Sequence, residues 1–369
     1  MKLKIAIIGT RGIPNHYGGF EQATEYISVG LMEKGHEVTV YNSHNHPYQK
    51  NNWNGVRIVH CFDPEYILKT AGQFLYDFNC IRDAQKRNFD ILLFMGYTSS
   101  SIWGKLYPKN SVIISNMDGL EWKRAKYSKP VQYFLKYAER LAVKYSHFHI
   151  ADSEVIQQYL NTTYPIQCQY IPYGANLSWD TNEAALNNYQ LSKWNYFLLM
   201  ARMEPENNIE TVLEGFHKSY SNKKFVVIGN MKERYGQYIA HRYINDNRIH
   251  FLGGTFEQTL IHTLRANAHL YFHGHSVGGT NPSLLEAMAS EALIAAHKND
   301  FNQSVLHEDA FYFSDLYDTQ NLIQSVERRG KEEKMIANNF KKIKEQFSWD
   351  KVIDAYETFI CACYNQSKQ

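Results

Sequence analysis

The chain lacks paired cysteines. Its five, Cys61, Cys80, Cys168, Cys361 and Cys363, are an odd number, and none stands in a C-x-x-C pair. A disulfide scaffold and a cysteine-rich zinc site are thereby excluded, and free thiols in a reducing compartment are expected. An excess of one charge is also missing: Lys plus Arg total 39 and Asp plus Glu 37, a formal net charge of +2. That balance gives no argument for a nucleic-acid partner, and any basic surface has to be local. No stretch of about 18 apolar residues occurs, so no transmembrane helix is expected. Residues 1–9 do not read as a signal peptide, because their apolar run is short and has no small-residue cleavage site. Low-complexity tracts and short repeats are absent. So are G-x-G-x-x-G and G-x-x-x-x-G-K-[ST], which disfavours a nicotinamide dehydrogenase and a P-loop enzyme. A cytoplasmic protein is the expectation.

What is present is material for a large core. The chain has 369 residues, 44% hydrophobic and 21% charged, a length that suggests roughly two to three domains and burial of about three quarters of the unfolded surface. Apolar runs at residues 5–8, 37–41, 55–61, 90–94, 111–115 and 148–151 read as strands separated by amphipathic stretches. A helix is expected from Phe20 to Lys34, closed by Gly35. A second array begins after residue 190, with strands at 196–200, 224–229, 250–252, 268–272 and 293–296. Helices are expected between them at 208–220, 255–266 and 282–290. Continuous apolar strands alternating with helices predict parallel sheets covered on both faces. The expected organisation is a first doubly wound domain at 1–176, a polar linker at 177–193, a second domain at 190–340 and a helical segment at 341–369. The last is expected to pack back on the first domain. Two such domains imply a cleft, with ligands at the carboxyl ends of the strands.

Three clusters carry chemistry. The first, Gly9-Thr10-Arg11-Gly12-Ile13-Pro14-Asn15-His16-Tyr17-Gly18-Gly19-Phe20-Glu21, joins a strand to a helix. Amides at Gly18 and Gly19 can approach a phosphate or sugar at the helix N-terminus; a plain structural loop is the alternative. Glu21 either meets substrate or hydrogen-bonds its own loop. The second cluster runs His273-Gly274-His275-Ser276-Val277-Gly278-Gly279-Thr280-Asn281-Pro282-Ser283-Leu284-Leu285-Glu286-Ala287-Met288. Asn281 suits an N-cap and Pro282 the first helical position. The amides of Gly279, Thr280 and Asn281 then face whatever sits above the helix, whose positive end favours a diphosphate. Glu286, one turn in, can accept from a sugar hydroxyl. His273 and His275 have no evident third ligand, so no metal is expected. The third cluster is Ala201-Arg202-Met203-Glu204-Pro205-Glu206-Asn207-Asn208, again between strand and helix. Arg202 is a permanent cation whose fork suits phosphate.

Together the three resemble the GT-B glycosyltransferases, and within them the large retaining family four. That family has a G-R-L-x-x-x-K-[GN] segment, to which 201–208 is similar: Arg202 matches, whereas Ala201 replaces the glycine and Asn207 the lysine. Its paired glutamates are matched by Glu286 in Glu286-Ala287-Met288-Ala289, with Gly278 at the other position. Ala151-Asp152-Ser153-Glu154 and Ile171-Pro172-Tyr173-Gly174-Ala175 also resemble the family. Gly9-Thr10-Arg11-Gly12-Ile13-Pro14, Tyr17-Gly18-Gly19-Phe20-Glu21 and Asn116-Met117-Asp118-Gly119-Leu120-Glu121-Trp122-Lys123-Arg124 resemble a bacterial rhamnosyltransferase subgroup. Its members use dTDP-L-rhamnose to build capsule or cell-wall polysaccharide on a lipid carrier.

The resemblance implies an α/β GT-B fold of two Rossmann-like domains facing a central cleft. It implies a nucleotide-sugar donor, no cofactor and no nucleic acid. Arg202 would stabilise the departing diphosphate, with Gly18, Gly19, Asn207, Gly279, Thr280, Asn281 and Glu286 binding the donor. Asp118 would orient the acceptor hydroxyl, or serve only as a turn residue before Gly119, and Glu21 is the other acceptor-side candidate. Alternatives are a UDP-hexose donor on the same fold, or a non-catalytic nucleotide-sugar-binding subunit of an assembly complex. Within 122–147, Lys123, Arg124, Lys126, Lys129, Lys136, Arg140 and Lys144 face a single acid, Glu139, with Trp122, Tyr127, Tyr133, Phe134 and Tyr137 interleaved. Such a segment is either a helix for the inner face of an anionic membrane, where a lipid-linked acceptor would be presented, or an ordinary solvated face.

Overall fold

Runs such as Ile91–Met95 and Tyr196–Met200 are buried at every position, as strands covered on both faces must be. The computed structural model describes residues 1–369 apart from Asp118, Ala125, Lys126 and Phe256. The chain divides into two compact units, Met1–Gly174 with Trp349–Gln369, and Ala175–Ser348.

The first unit is built on eight strands: β1 (Lys4–Ile8), β2 (Glu37–Ser43), β3 (Asn52–Trp53), β4 (Val56–Cys61), β5 (Ile91–Met95), β6 (Val112–Asn116), β7 (Phe148–Ala151) and β8 (Cys168–Tyr170). Their order is β3-β4-β2-β1-β5-β6-β7-β8, parallel except for β3 against β4. Strands are added outward from β1 through β2 and then, on the other side, through β5, so the direction of winding reverses between β1 and β5. Its helices are α1 (Gly19–Glu33), α2 (Glu65–Leu68), α3 (Thr70–Ala84), α4 (Lys129–Tyr145) and α5 (Glu154–Thr163).

The second unit has six parallel strands, β9 (Tyr196–Met200), β10 (Lys224–Ile228), β11 (Ile249–Gly253), β12 (Leu270–His273), β13 (Ile294–His297) and β14 (Phe311–Phe313), ordered β11-β10-β9-β12-β13-β14. Here the winding reverses between β9 and β12, which pair from Leu270↔Phe197 to Phe272↔Leu199. Helices α6 (Ile209–His217), α7 (Arg234–Arg242), α8 (Gln258–Asn267), α9 (Pro282–Ala289), α10 (Asp300–Leu306), α11 (Leu316–Ser325) and α12 (Lys331–Lys342) accompany them. Phe197, Phe225, Phe272 and Phe313 form the aromatic centre of this core.

At the junctions of the two units the structure differs from the sequence reading. Residues 177–193, read as linker, carry a short 3-10 helix at Glu183–Tyr189, capped by Asn182 on the Ala184 amide at 3.2 Å and anchored by buried Leu186. The chain passes from second unit to first at Trp349 rather than at residue 341, because Ile343 and Phe347 are buried and belong to the second unit. The last helix, α13 (Trp349–Ser367), completes the first unit by lying on α1. Tyr26 stacks on Trp349 with ring centroids 4.4 Å apart, and Asn116 Nδ2 donates to the Tyr356 hydroxyl at 3.0 Å. Gly30 makes the approach possible, since a Cβ there would stand 2.5 Å from Ile353 Cδ1. No helix among the described residues is long and apolar enough to cross a membrane.

The α1–α13 contact sets a test. Gly30→Val forces a branched side chain into space that Ile353 fills, and overpacking of this kind costs about 1–3 kcal/mol. The urea midpoint is expected to fall, with Gly30→Ala between the two. An unchanged midpoint in both variants would show that Ile353 does not need the space.

Candidate active site

The second unit brings two of the sequence clusters together. Ligands of doubly wound sheets bind where the winding reverses, beyond the carboxyl ends of the strands. Here that place lies between β9, which leads into Arg202, and β12, which leads into His273. After β9 the chain makes a 3-10 turn at Pro205–Asn207, and Asn208 takes a left-handed conformation with φ 50° before α6. The two loops are stitched together. Asn208 Nδ2 donates to the Gly274 carbonyl at 2.8 Å, and the Ser276 hydroxyl donates to the Glu206 carbonyl at 2.7 Å. Gly274 has to be glycine for this: a Cβ there would lie 2.0 Å from the Asn207 carbonyl oxygen.

Arg202 is exposed and has no carboxylate partner among the described residues. Asn207 was expected to offer its amide to a donor. In the structure it is buried, and Nδ2 donates to the Arg202 carbonyl at 2.8 Å, so it braces the segment that carries the cation. α9 begins as read from sequence. Asn281 Oδ1 accepts from the Ser283 amide at 2.9 Å, and Pro282 takes the first helical position. Gly278 has φ +118° with open space where a Cβ would sit, and Thr280 is buried. The polypeptide from Gly278 to Asn281 thus leads into a capped helix N-terminus, whose amides and dipole favour an anion.

Glu286 is held by a residue that sequence reasoning missed. Arg265 on α8 donates from Nη1 to Glu286 Oε2 at 2.8 Å and from Nη2 to the Ser283 hydroxyl at 3.0 Å. Its side chain is only 4% exposed. Nothing in the sequence marked Arg265, because an arginine on an amphipathic helix reads as surface. Buried beside a carboxylate, it fixes where Glu286 points. His273 is fully buried and stacks on His275 at 4.4 Å. Burial pushes its pKa well below the usual histidine range, so the ring is neutral.

In the first unit, Gly18 is the extended N-cap of α1, which receives no side-chain capping bond, and Gly19 opens the helix. Glu21 is buried and accepts from the Arg11 amide at 3.0 Å, which is the own-loop alternative left open by the sequence. Asp118, the acceptor-side candidate after β6, lies outside the described residues. Of the basic segment 122–147, residues 129–145 form α4, and its charges are divided. Glu139 is buried and accepts from Trp122 Nε1 at 2.9 Å, Lys136 Nζ at 2.7 Å, and the hydroxyls of Tyr159 at 2.8 Å and Tyr164 at 2.5 Å. Lys136 and Trp122 therefore turn inward. Lys129, Val131, Tyr133, Phe134, Tyr137, Arg140 and Lys144 remain exposed.

Among the described residues, one trio, His36, Glu357 and Cys361, has ligand atoms within 4.8 Å of one another. His36 Nδ1 accepts from the Leu3 amide at 3.2 Å, so the neutral ring carries its proton on Nε2, the nitrogen that faces Glu357. A metal-bound histidine donates from its other nitrogen, so these residues do not fit a metal.

Buried neutral histidines set the acid limit of stability. Burial lowers His46 to about 4 and His262 to about 3 from an ordinary 6.5, and it pushes His273 well below that value too. Below 6.5 the unfolded chain takes up protons that these folded sites refuse, so stability falls as pH drops from 6.5 towards 4. Buried Asp77 opposes this. Desolvation raises it from 3.8 to about 7, so the folded state keeps a proton that the unfolded state releases. His36, His147, His149, His250, His269 and His297 are lowered by burial as well, so the histidines outweigh Asp77 and a falling melting temperature is expected between pH 7 and pH 5; a constant or rising one would contradict the assignment.

Comparison with known proteins bears on the fold. Residues 183–345 match the family described as glycosyl transferases group 1, and residues 2–176 match a domain of unknown function, DUF1972. No curated protein matches the sequence. Among solved structures, sucrose-phosphate synthase from Thermosynechococcus elongatus superposes with a TM-score of 0.80 at 15% identity, over 97% of this chain and 99% of that one. HepE from Anabaena, in complex with UDP and glucose, gives 0.76 at 14% identity, over 98% and 100%. The catalytic domain of starch synthase IV from Arabidopsis thaliana, bound to ADP and acarbose, gives 0.75 at 12% identity, over 99% and 100%. At these identities the likeness shows the fold.

Proposed function

We propose that this chain, which has the GT-B fold and whose residues 183–345 match the family described as glycosyl transferases group 1, is a glycosyltransferase that moves L-rhamnose from dTDP-L-rhamnose to a lipid-pyrophosphate-linked glycan, with retention of configuration. The observation that carries the transfer reading is the exposed cation Arg202, held across the β9–β12 switch point from the capped N-terminus of α9. The rhamnose reading rests on the resemblance of residues 9–21 and 116–124 to the rhamnosyltransferase subgroup.

In this reading the diphosphate lies between Arg202 and the amides of Gly279, Thr280 and Asn281. As the bond from the sugar carbon to the diphosphate oxygen breaks, negative charge grows on that oxygen, and these groups stabilise it without reorganising. The acceptor oxygen bonds to the same carbon from the same face, and its proton passes to the departing phosphate oxygen. No protein base is then needed. Glu286, held by Arg265, accepts from a hydroxyl of the nucleotide sugar, while Asn207 holds the Arg202 segment. In the first unit, Gly18 and Gly19 are the donor-side candidates, and Asp118 and Glu21 the acceptor-side ones. Glu21 acts there through the Arg11 loop. The exposed face of α4, with Lys129, Arg140 and Lys144 around Val131, Tyr133, Phe134 and Tyr137, fits an anionic membrane surface that carries such an acceptor.

A second reading, a UDP-hexose donor, is favoured by the likeness to HepE, solved with UDP-glucose. A donor panel separates the two. Incubation with lipid-pyrophosphate GlcNAc and each of dTDP-L-rhamnose, UDP-glucose and UDP-galactose is expected to add one deoxyhexose from the first alone, by mass spectrometry. A hexose gain would discard rhamnose and keep transfer. Arg202→Ala is expected to lower kcat by about 100- to 1,000-fold. Full activity in that variant would remove Arg202 from the mechanism.

A further inference from the structure

Helix α9 has eight residues, too few to hold its own shape in water, so its place is set by what packs on it. Two residues of α8, three positions apart and hence on one face, grip it. Arg265 takes Ser283 and Glu286. His262 takes the far end. Ser290, the C-cap of α9, accepts from His262 Nδ1 at 2.7 Å, and its hydroxyl donates to the Glu286 carbonyl at 2.7 Å. The carboxylate and the carbonyl of Glu286 are thus both tied to α8. His262 is fully buried. Burial, with the nearby Arg265 charge, keeps its ring neutral, and the bond to Ser290 puts the proton on Nδ1.

His262 is roofed by Trp179. The two rings lie within 15° of parallel, with centroids 3.5 Å apart. Trp179 is half-buried, whereas Leu177, Ser178, Asp180 and Thr181 beside it are exposed. This stretch of the second unit therefore crosses α8 as a strap with one side chain turned in. Beyond it the Asn182 amide donates to Thr263 Oγ1 at 2.8 Å, which fixes the strap's end on the same helix. The seat leaves polar atoms unmet. Trp179 Nε1, a donor, and His262 Nε2, an acceptor, are both buried without a hydrogen-bond partner among the described residues. Unmet groups of this kind are costly, so the strap is a low-stability contact, of the sort from which moving elements are drawn.

We propose that Trp179 is a positioning residue for the donor nucleotide. Seated on His262, it keeps α8 pressed to α9 and so holds Glu286 in place. A nucleoside diphosphate bound at α9 in turn holds the strap down, because coupling between two sites is reciprocal. The inference rests on the reading of Glu286 and the α9 N-terminus as the donor site. Trp179 touches no substrate; it acts through His262, Ser290 and Glu286, all of them in the second unit.

Hydrogen exchange read by mass spectrometry on the full chain tests this, with dTDP and UDP as probes and calorimetry for their Kd. Saturating nucleotide is expected to slow exchange of the amides at 177–182 in the wild-type chain. Trp179→Ala is expected to weaken nucleotide binding by about two- to tenfold, the share that one aromatic stack supplies, and Trp179→Phe to restore it. Ser290→Ala keeps the stack but cuts its link to Glu286, so the nucleotide-dependent slowing at 177–182 is expected to disappear. Trp179 stands in an exposed strap, so its variants keep the fold even if the Ser290 variant does not. Unchanged binding in Trp179→Ala, a loss that Trp179→Phe does not repair, or slowing that survives in a folded Ser290→Ala chain would overturn the inference. Nucleotide that binds the wild-type chain without altering exchange at 177–182 would remove the coupling alone. Failure of both nucleotides to bind would remove the donor-site reading, and the inference with it.

Discussion

The hydrogen bond from Asn208 to the Gly274 carbonyl is the constraint on which the candidate active site depends. It joins the loop after β9 to the loop after β12 across the point where the winding of the second sheet reverses. A bond of this kind contributes only about 1 kcal/mol net, yet its geometric demand is severe. Asn208 must adopt φ 50°, and Gly274 must lack a Cβ so that the Asn207 carbonyl can come close. Once those conditions hold, Asn207 turns inward to brace Arg202, Ser276 closes on Glu206, and the chain continues through Gly278 into the cap of α9. A cation from one strand end and a helix N-terminus from the next thus share one frame. Fixed groups of that kind stabilise developing charge, because they need not move when it appears.

The pairing of buried charge sorts the remaining residues. Arg265 with Glu286, Glu139 with its four donors, and Arg11 with Glu65 each satisfy an ion taken out of water. These ions hold shape and are closed to a new anion. Arg202 differs by being exposed and without a carboxylate partner among the described residues. The same logic divides α4. Lys136 is spent on the Glu139 hub, while Lys129, Arg140 and Lys144 stand in solvent beside exposed aromatics. Whether a basic residue is structural or free to meet a ligand is decided by the distance to the nearest carboxylate, which chain position does not give.

Strands with four or five consecutive apolar residues, and helices with a clear start such as Asn281-Pro282, were legible because their signals are local. Short elements were not: β3, β8 and β14 have two or three residues each, too few for a pattern, and exist because a neighbouring strand offers its edge. The 3-10 helix within 177–193 was hidden for the same reason. Arg202, Gly279, Asn281 and Glu286 were singled out from sequence, whereas Arg265 and His46 were not. Nothing about a lone arginine on a helix, or a histidine in a loop, reveals that the folded chain will bury it.

The alternation of apolar strands with helices and the capped glycine-rich turns were thus determined by the sequence alone. Each depends on hydrogen bonding and side-chain burial over a few successive residues. The joining of the β9 and β12 loops, the Arg265–Glu286 pair and the inward turn of Lys136 were decided only by tertiary structure. They bring together residues dozens of positions apart, and their energies come from distance and desolvation, quantities that arise only when the sheets have formed.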